Sequence, residues 1–264
     1  MLPSLILLLV FFFAPIASAA KLAYVVLDGH TGKRFAGKNE EAIIYPASLT
    51  KMMTLYLLFE ALEKRKVKMN TRFFVSNRAS QHPPSKLGLR AGQKICVKDC
   101  ILAVATKSCN DATTVVAENL AGNVPGFVRR MNQKARALGL CRTVFQNPTG
   151  WHHPAQYTTA RDMGKLIRAL WVRFPQYSHF LCRKEFHYQG RKLCATNRLI
   201  GRVKGLCMGK TGFTCPAGFN LATLTCRRKT PVVVVVMGAP SGKNRDTQVK
   251  TLIEHFYYCK KIPA

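Results

Sequence analysis

The sequence predicts an α+β fold in which a mostly antiparallel sheet packs against a cluster of helices. Apolar runs typical of strands lie near both ends of the chain, at Leu22 to Leu27 and at Val232 to Met237. The stretches between them carry the spacing and composition of helices. Strands that meet in one sheet while the helices between them gather beside it define this fold class.

The helices are predicted from their composition and their boundaries. Ser48 to Glu63 contains neither glycine nor proline, and it is apolar on nearly all sides. A helix that is apolar all round is buried, so we expect this one in the core, with Pro46 just ahead of its start. The other predicted helices are Asp99 to Thr106, Ala112 to Leu120, Val128 to Leu138, Thr159 to Arg173 and Leu252 to Tyr258.

The strands are predicted from apolar runs and the turns that bound them. A turn cluster at Asp28 to Gly32 stops the first strand. A second turn, Thr214 to Gly218, separates a strand that ends near Gly212 from another at Phe219 to Cys226. Val232 to Met237 is five valines and a methionine, which is typical of a buried strand.

The first twenty residues have the composition of a secretory leader. An unbroken apolar run, Leu5 to Phe13, is followed by small residues up to Ala20, and the segment is too short to span a membrane comfortably. The sequence therefore predicts a signal peptide over 1–20, a single domain over 21–264, and export to the periplasm or the cell envelope. We expect no membrane anchor to remain after removal of the leader. No lysine or arginine precedes Lys21, so an uncleaved anchor is the alternative.

The chain is strongly basic. It carries 41 Lys and Arg against 12 Asp and Glu, a formal net charge of +29. Such a surplus often indicates nucleic-acid binding. Export and the lack of an aromatic-basic recognition motif argue against a nucleic-acid partner here. An anionic cell-wall polymer is the partner that fits an exported basic protein, and solvated surface charge is the alternative.

The cysteine and histidine content points to an oxidising compartment and away from metal binding. All ten cysteines follow the predicted leader, which suggests disulfides, with free thiols as the alternative. The chain has no Cys-x-x-Cys pair, and its seven histidines lack the spacing of metal ligands. We therefore expect no metal and no cofactor.

A serine and a lysine lie three residues apart at the start of the predicted central helix. Ser48 and Lys51 share one face of that helix, with their Cβ atoms about 5–6 Å apart. A neighbouring amine activates a serine hydroxyl only when the amine is neutral. Burial and a second cation, for which Lys210 is the candidate, lower the pKa of a lysine. The pair predicts a serine nucleophile with a lysine base; a surface lysine is the alternative.

A second serine lies with an asparagine in a predicted loop between helices. The hydroxyl of Ser108 can relay a proton to a leaving amine, and the amide of Asn110 can donate to and accept from a substrate peptide bond. A string of this kind also caps helices readily. The alternative is therefore a simple capping turn ahead of the helix at Ala112 to Leu120.

Lysine, threonine and glycine occur together at the end of one predicted strand. Lys210 and Thr211 are candidates to face a substrate carboxylate, and Gly212 would let a substrate backbone lie against the strand edge. Arg198 and Arg245 are candidate guanidinium clamps for the same carboxylate. The alternative is that Arg198 and Arg245 are ordinary surface residues without a binding role, since the chain is rich in arginine.

The three motifs, in this order, resemble those of the low-molecular-mass penicillin-binding proteins, serine-type D-alanyl-D-alanine carboxypeptidases of peptidase family S11. The strings around them, Tyr45 to Thr54, Asn110 to Ala112 and Lys210 to Phe219, extend the likeness. It runs from about Tyr24 to Tyr257. The resemblance implies a β-lactamase/transpeptidase-like fold and a single catalytic domain over 21–264.

The resemblance also implies a function and a site. Such enzymes remove the terminal D-alanine from peptidoglycan stem peptides through a serine acyl-enzyme, and β-lactams are their covalent inhibitors. The implied catalytic residues are Ser48, Lys51, Ser108 and Asn110. The backbone N–H of Phe213 would complete an oxyanion hole with that of Ser48. Relatives often have histidine at this position, so only the backbone role of Phe213 carries over.

Three alternatives stay open at this point. One is a D,D-endopeptidase that cuts peptidoglycan crosslinks, and another is a non-catalytic basic cell-wall-binding protein. A class A β-lactamase would need a glutamate-held water to release its acyl-enzyme. The acidic residues between the second and third motifs are Asp111, Glu118, Asp162 and Glu185. Asp111 and Asp162 are placed to cap helices. Glu185 is not followed four residues later by the asparagine that the β-lactamase pattern requires. No carboxylate is therefore evident to activate water, and we expect a penicilloyl adduct to persist.

Overall fold

A five-stranded antiparallel sheet forms the centre of the computed structural model, which describes residues 22–262. The predicted leader lies outside the described residues. The described strands are β1 (Ala23–Asp28), β2 (Arg34–Lys38), β3 (Arg72–Phe74), β4 (Lys94–Cys96), β5 (Glu185–Tyr188), β6 (Arg191–Cys194), β7 (Leu206–Thr214), β8 (Gly218–Arg227) and β9 (Thr230–Ala239). The main sheet has the order β2-β1-β9-β8-β7, so β7 is an edge strand.

Helices cover both faces of this sheet. The α-helices are α1 (Lys51–Glu63), α2 (Asn77–Ser80), α3 (Val97–Leu102), α4 (Asn110–Ala121), α5 (Val124–Ala137), α6 (Ala160–Arg173) and α7 (Gly242–Cys259). Two 3₁₀ segments, Ala47–Thr50 and Pro175–Cys182, and one π-helical turn, Ala103–Lys107, complete the helical parts. Within residues 22–262, no helix combines the length and apolar character needed to cross a membrane.

The valine run of β9 shows why the sheet is buried on both sides. Val233 and Val235 pack in the large core with α1 and α6, whereas Val232, Val234 and Val236 pack in a second core beneath α7. Successive side chains of a strand point to opposite faces, so an unbroken apolar run requires cover on both. The α+β fold class and the antiparallel sheet beside a helical cluster are confirmed.

Several predicted boundaries were wrong, and local capping explains the largest differences. The last helix begins at Gly242 rather than Leu252, because Ser241 caps it by accepting from the backbone N–H of Asn244 at 3.1 Å. The helix predicted from Val128 begins at Val124 after a capping Asn123. The short, polar strands β2 to β6 carry no clear apolar alternation, and they were not predicted.

The expected disulfides are absent from the described structure, in which all ten cysteines carry free thiols. Cys100 and Cys109 are fully buried in the core. Burial raises the pKa of the Cys109 thiol to about 12, and the Asp111 carboxylate adds to the effect. Cys109 therefore behaves as a small apolar core residue and does not present a reactive thiol to the neighbouring cleft.

Candidate active site

The predicted nucleophile of the first motif lies in a strained turn at the start of α1. Ser48 belongs to the 3₁₀ segment Ala47–Thr50, which runs directly into the helix. The preceding Ala47 has φ of 46°, a left-handed conformation that costs free energy for a residue with a side chain and is common at functional sites. Asn220 of β8 fastens this turn to the sheet by donating to the carbonyl oxygens of Tyr45 and Pro46.

Two glycines make room for this turn. A Cβ atom on Gly150, whose φ is +81°, would lie 1.9 Å from the carbonyl oxygen of Ala47. A Cβ atom on Gly212 would lie 3.1 Å from the backbone nitrogen of Ser48. The structure thus adds a reason for glycine in the third motif, since β7 must approach the backbone of the nucleophile closely.

Lys51 is fully buried, and its amine has three oxygen neighbours. Its Nζ lies 2.9 Å from Ser48 Oγ, 2.8 Å from Asn110 Oδ1 and 2.5 Å from the carbonyl oxygen of Thr149. The amide and carbonyl oxygens can only accept hydrogen bonds. A neutral amine has two N–H groups for these two acceptors, which leaves its lone pair for the hydroxyl proton of Ser48. The geometry therefore suits a base.

The surroundings of Lys51 favour the neutral amine. Burial lowers its pKa well below the ordinary value, and the nearby Lys210 ammonium lowers it further. Both causes are those expected from the sequence, since an apolar environment and a like charge each disfavour the protonated form.

Ser108 and Asn110 stand where one helix ends and the next begins. The π-helical turn Ala103–Lys107 ends at Ser108, which has a left-handed φ of 65°, and α4 begins at Asn110. The Asn110 amide is oriented by donating to the carbonyl oxygens of Pro83 and Pro84, at 3.2 and 3.1 Å. The side-chain carbonyl oxygen of Asn110 is thereby turned toward Lys51. A residue that only capped the helix would not need this contact.

Lys210 projects from β7 to Ser108. Its Nζ lies 2.9 Å from Ser108 Oγ and 3.0 Å from the carbonyl oxygen of Thr211. Burial lowers the pKa of Lys210 to about 7, and Arg245 contributes to the lowering. The second cation predicted for the site is thus present, 102 residues from Ser108 along the chain.

Ser48, Ser108 and Asn110 line a cleft of about 310 Å³ between β7 and the helical cluster, whereas Lys51 and Lys210 are buried behind them. Thr211, Gly212 and Phe213 line it from the edge strand, and Arg245 lines it from the first turn of α7. Arg198 is exposed, and it is not among the residues that line this cleft. Of the two candidate clamps, the structure therefore brings only Arg245 to the site.

Comparisons with known proteins show the family of this chain. The family model described as D-alanyl-D-alanine carboxypeptidase, Peptidase_S11, matches residues 13–241. The chain belongs to this family. The D-alanyl-D-alanine carboxypeptidase DacF of Bacillus subtilis is 34% identical over 244 residues, which are 90% of this chain and 62% of DacF. The chain thus spans less than two thirds of the length of that relative.

Solved structures of penicillin-binding proteins are also similar to the chain. Penicillin-binding protein 5 from Haemophilus influenzae has a TM-score of 0.87 and 32% identity, and the match covers 94% of this chain and 73% of that one. Penicillin-binding protein D2 from Listeria monocytogenes, in a cefotaxime-bound form, has a TM-score of 0.80 and 26% identity, with 96% and 98% covered. The β-lactamase/transpeptidase-like fold is confirmed.

Several residues that shape or line the cleft of this family member were not predicted from the sequence. Asn147 Oδ1 accepts from the backbone of Thr149 and Gly150, which shapes the loop that reaches Lys51. Ser85 lines the cleft and donates to the carbonyl oxygen of Lys107. Thr196 lines it too, with its Oγ1 atom 2.6 Å from that of Thr211. The string Asn147 to Gly150 is a recognisable turn signal in the sequence. Its contact with Lys51 was not predictable, because Thr149 lies 98 residues from Lys51 along the chain.

No Asp or Glu is among the residues that line the described cleft. The Asp111 carboxylate accepts from the backbone N–H groups of Leu87, Gly88 and Leu89, so it holds that segment. The Asp162 carboxylate accepts from the backbone N–H of Arg142 and from the side-chain hydroxyl of Thr143. Both carboxylates lie in the first turn of a helix, as expected, and Asp111 also accepts from the backbone N–H of Ala112 at 2.8 Å. The capping role expected for Asp162 was wrong, because Thr159 caps α6.

The acylation rate of Ser48 is expected to rise and then fall with pH. Lys51 must be neutral to accept the hydroxyl proton, so the rate falls as the pH drops through its lowered pKa. Lys210 must be charged to attract a carboxylate, so the rate falls again above its pKa of about 7. The measurement is the second-order rate constant for labelling by a fluorescent penicillin from about pH 5 to about pH 10.

A substitution at Lys210 provides the control for this pH profile. Lys210→Arg keeps its charge throughout, because the pKa of a guanidinium stays above about 12. We expect the alkaline limb to move to higher pH in this variant, and its labelling at about pH 6 shows that the site is folded. An alkaline limb at the same pH in both proteins would assign it to another group.

Proposed function

We propose that the protein is an exported serine-type D-alanyl-D-alanine carboxypeptidase that removes the terminal D-alanine from peptidoglycan stem peptides. The observation that carries the proposal is the amine of Lys51. Two carbonyl acceptors take its N–H groups, and the remaining position faces Ser48 Oγ at 2.9 Å. Family membership supports the same activity, and β-lactams are expected to acylate the same serine.

The acylation step follows from these positions. Ser48 Oγ attacks the carbonyl carbon of the penultimate D-alanine, and its proton passes to Lys51 Nζ. The developing oxyanion would be held by the backbone N–H groups of Ser48 and Phe213. Since β7 is an edge strand, alternate backbone groups along it are free of a neighbouring strand and can face a substrate.

The leaving group departs on the other wall of the cleft. The bond between the carbonyl carbon and the terminal nitrogen breaks, and Ser108 passes a proton to that nitrogen. The Lys210 ammonium, 2.9 Å from Ser108 Oγ, supports this transfer. Lys210, Thr211 and Arg245 would hold the terminal carboxylate, and water then hydrolyses the ester on Ser48.

Mass spectrometry of two muropeptides tests the function directly. An uncrosslinked pentapeptide should lose one D-alanine, whereas a crosslinked dimer should be cut into two monomers only if the protein is a D,D-endopeptidase. A protein that changes neither muropeptide and takes up no fluorescent penicillin would be a non-catalytic wall-binding protein, which would contradict the proposal. A Ser48→Ala protein in parallel shows that any product depends on this site.

The penicilloyl adduct is expected to persist for minutes or longer. Release of such an adduct at β-lactamase rates needs a carboxylate that activates water, and no carboxylate lines the described cleft. Attack by water would depend on Lys51 or Ser108 in a site that the adduct partly fills. The measurement is the loss of label over time after a chase with unlabelled penicillin. Turnover many times per second would refute the prediction and favour a β-lactamase.

The basic surface supports a second part of the proposal, namely attraction to an anionic cell-wall polymer. The formal charge of +29 would draw an exported protein to such a polymer, and salt would screen the attraction. Binding of the protein to isolated cell walls should therefore weaken as ionic strength rises. Binding that is independent of salt would mean that the charge serves only as solvated surface.

A further inference from the structure

The aromatic ring of Phe213 lies at the mouth of the cleft and is unusually exposed for its size. Its side chain is 51% exposed, and it lines the same cavity as Ser48. An isolated exposed ring on an outer surface needs no explanation. A ring in the cleft beside Ser48 is different, because any substrate that fills the cleft removes water from the ring.

The alternation of β7 places this ring on a particular face of the sheet. Thr211 and Phe213 are two residues apart, so their side chains share one face, and they pair with Leu221 and Phe219 of β8. Leu221 belongs to the core beneath α7. Phe213 thus lies on the α7 side of the edge strand, where Thr211 also presents its hydroxyl.

A second ring supports the first. Phe213 stacks on Phe219 with ring centroids 4.2 Å apart and an angle of 30° between the planes. Phe219 adjoins Arg245, since a Cβ atom on Gly242 would lie 3.7 Å from the Phe219 ring and 4.0 Å from Arg245 Nη2. The stacked rings and the guanidinium therefore border the same part of the cleft.

The polar groups beside these rings are suited to a carboxylate. Arg245 is only 6% exposed, and its Nε and Nη2 both donate to Asp246 Oδ1, at 2.9 and 2.6 Å, which fixes the guanidinium plane. The hydroxyl oxygens of Thr211 and Thr196, which also line the cleft, are 2.6 Å apart. An apolar wall thus stands next to groups that bind anions.

We propose that Phe213, supported by Phe219, forms the surface on which the side chain of the substrate's terminal residue packs. The inference rests on the proposed function, which places the terminal carboxylate near Thr211 and Arg245. The carboxylate and the side chain of one residue branch from the same Cα atom, so a carboxylate held there brings the side chain to the adjoining ring. Phe213 then sets a preference for an apolar terminal residue.

Two pentapeptides that differ only at the last position test this inference. One ends in D-alanine and the other in glycine, and kcat/KM is measured from release of the terminal amino acid. A single methyl group in an apolar site changes the rate about tenfold, so we expect the wild-type protein to favour D-alanine by about that ratio. In Phe213→Ala the ratio should fall below about threefold, while Phe213→Leu should retain most of it.

Phe74→Ala is the matched control. Phe74 is 53% exposed on β3, in a separate two-stranded sheet, and it does not line the cleft. Its loss should leave the ratio unchanged. An unchanged ratio in Phe213→Ala, including an equal fall in kcat/KM for both peptides, would overturn the inference and leave Phe213 a structural role only. If the wild-type protein releases neither residue, the proposed function fails and the inference falls with it.

Discussion

Ser48→Ala is expected to abolish covalent labelling by penicillin while the protein stays folded. Ser48 is the described serine whose hydroxyl faces the buried amine of Lys51, at 2.9 Å, and without an oxygen at this position no acyl-enzyme can form. The substitution removes one hydrogen bond, for which we expect a loss of about 1 kcal/mol in the free energy of unfolding. Labelling is measured with a fluorescent penicillin, and folding by thermal unfolding followed by circular dichroism.

A matched serine outside the cleft provides the control. Ser80 lies on α2, and its hydroxyl donates to the carbonyl oxygen of Asn77 at 2.8 Å. Ser80→Ala should be labelled like the wild-type protein, with the adduct on the peptide that contains Ser48. The main competitor within the site is Ser108, which lies 2.9 Å from Lys210 Nζ. Label retained in Ser48→Ala and mapped to the Ser108 peptide would overturn the assignment.

Lys51→Arg is expected to slow acylation by about 10²- to 10⁴-fold, the range that general-base catalysis usually contributes. Arginine keeps a positive charge at this position but stays protonated, because its pKa is above about 12, so it cannot accept the proton of Ser48. The measurement is the second-order rate constant for penicillin acylation, at the pH at which the wild-type protein reacts fastest.

A second variant separates the chemistry of Lys51 from its packing. Lys51 is 0% exposed, so the larger side chain in Lys51→Arg also overpacks the site. Lys51→Met preserves most of the side-chain volume and carries no charge. Both variants should lose acylation, and Lys51→Met should stay folded, with an unfolding temperature lowered by the loss of its hydrogen bonds to Asn110 and Thr149. If Lys51→Arg acylated at a rate near that of the wild type, Lys51 would act by charge alone.

The residues that meet at the candidate site were predictable because they lie in short motifs. Ser48 and Lys51 are three residues apart on a helix, and that spacing alone places them on one face. The turn between β7 and β8 was also predicted, since Pro216 and Gly218 mark it in the sequence. Such inferences succeed where the interaction lies within a few residues along the chain.

The supporting structure of the site was not predictable for the opposite reason. Asn220 holds the turn of Ser48 from 174 residues away, through the carbonyl oxygen of Pro46. The carboxylates of Asp111 and Asp162 fit a capping pattern in the sequence, but each holds a segment about 20 residues distant. Residues that act through such contacts carry no local signal, because their partners are chosen by packing rather than by spacing.

The same division separates the two candidate arginines. Arg198 and Arg245 are equal by composition, and nothing near them in the sequence ranks one above the other. The early start of α7, capped by Ser241, carries Arg245 into the cleft beside Thr211. Arg198 follows β6 and is itself exposed, and it is not among the residues that line the described cleft.

The sequence by itself determined the candidate reacting groups of this protein: a serine, a lysine one helical turn away, a second serine with an amide, and a cationic strand. Only the tertiary structure showed surroundings of Lys51 that suit the proposed role of a base. Its neutrality depends on complete burial, on the Lys210 ammonium, and on oxygen acceptors supplied by Asn110 and Thr149, which lie 59 and 98 residues away. A pKa is set by what surrounds a group in space, so the fold had to be known before the role could be assigned.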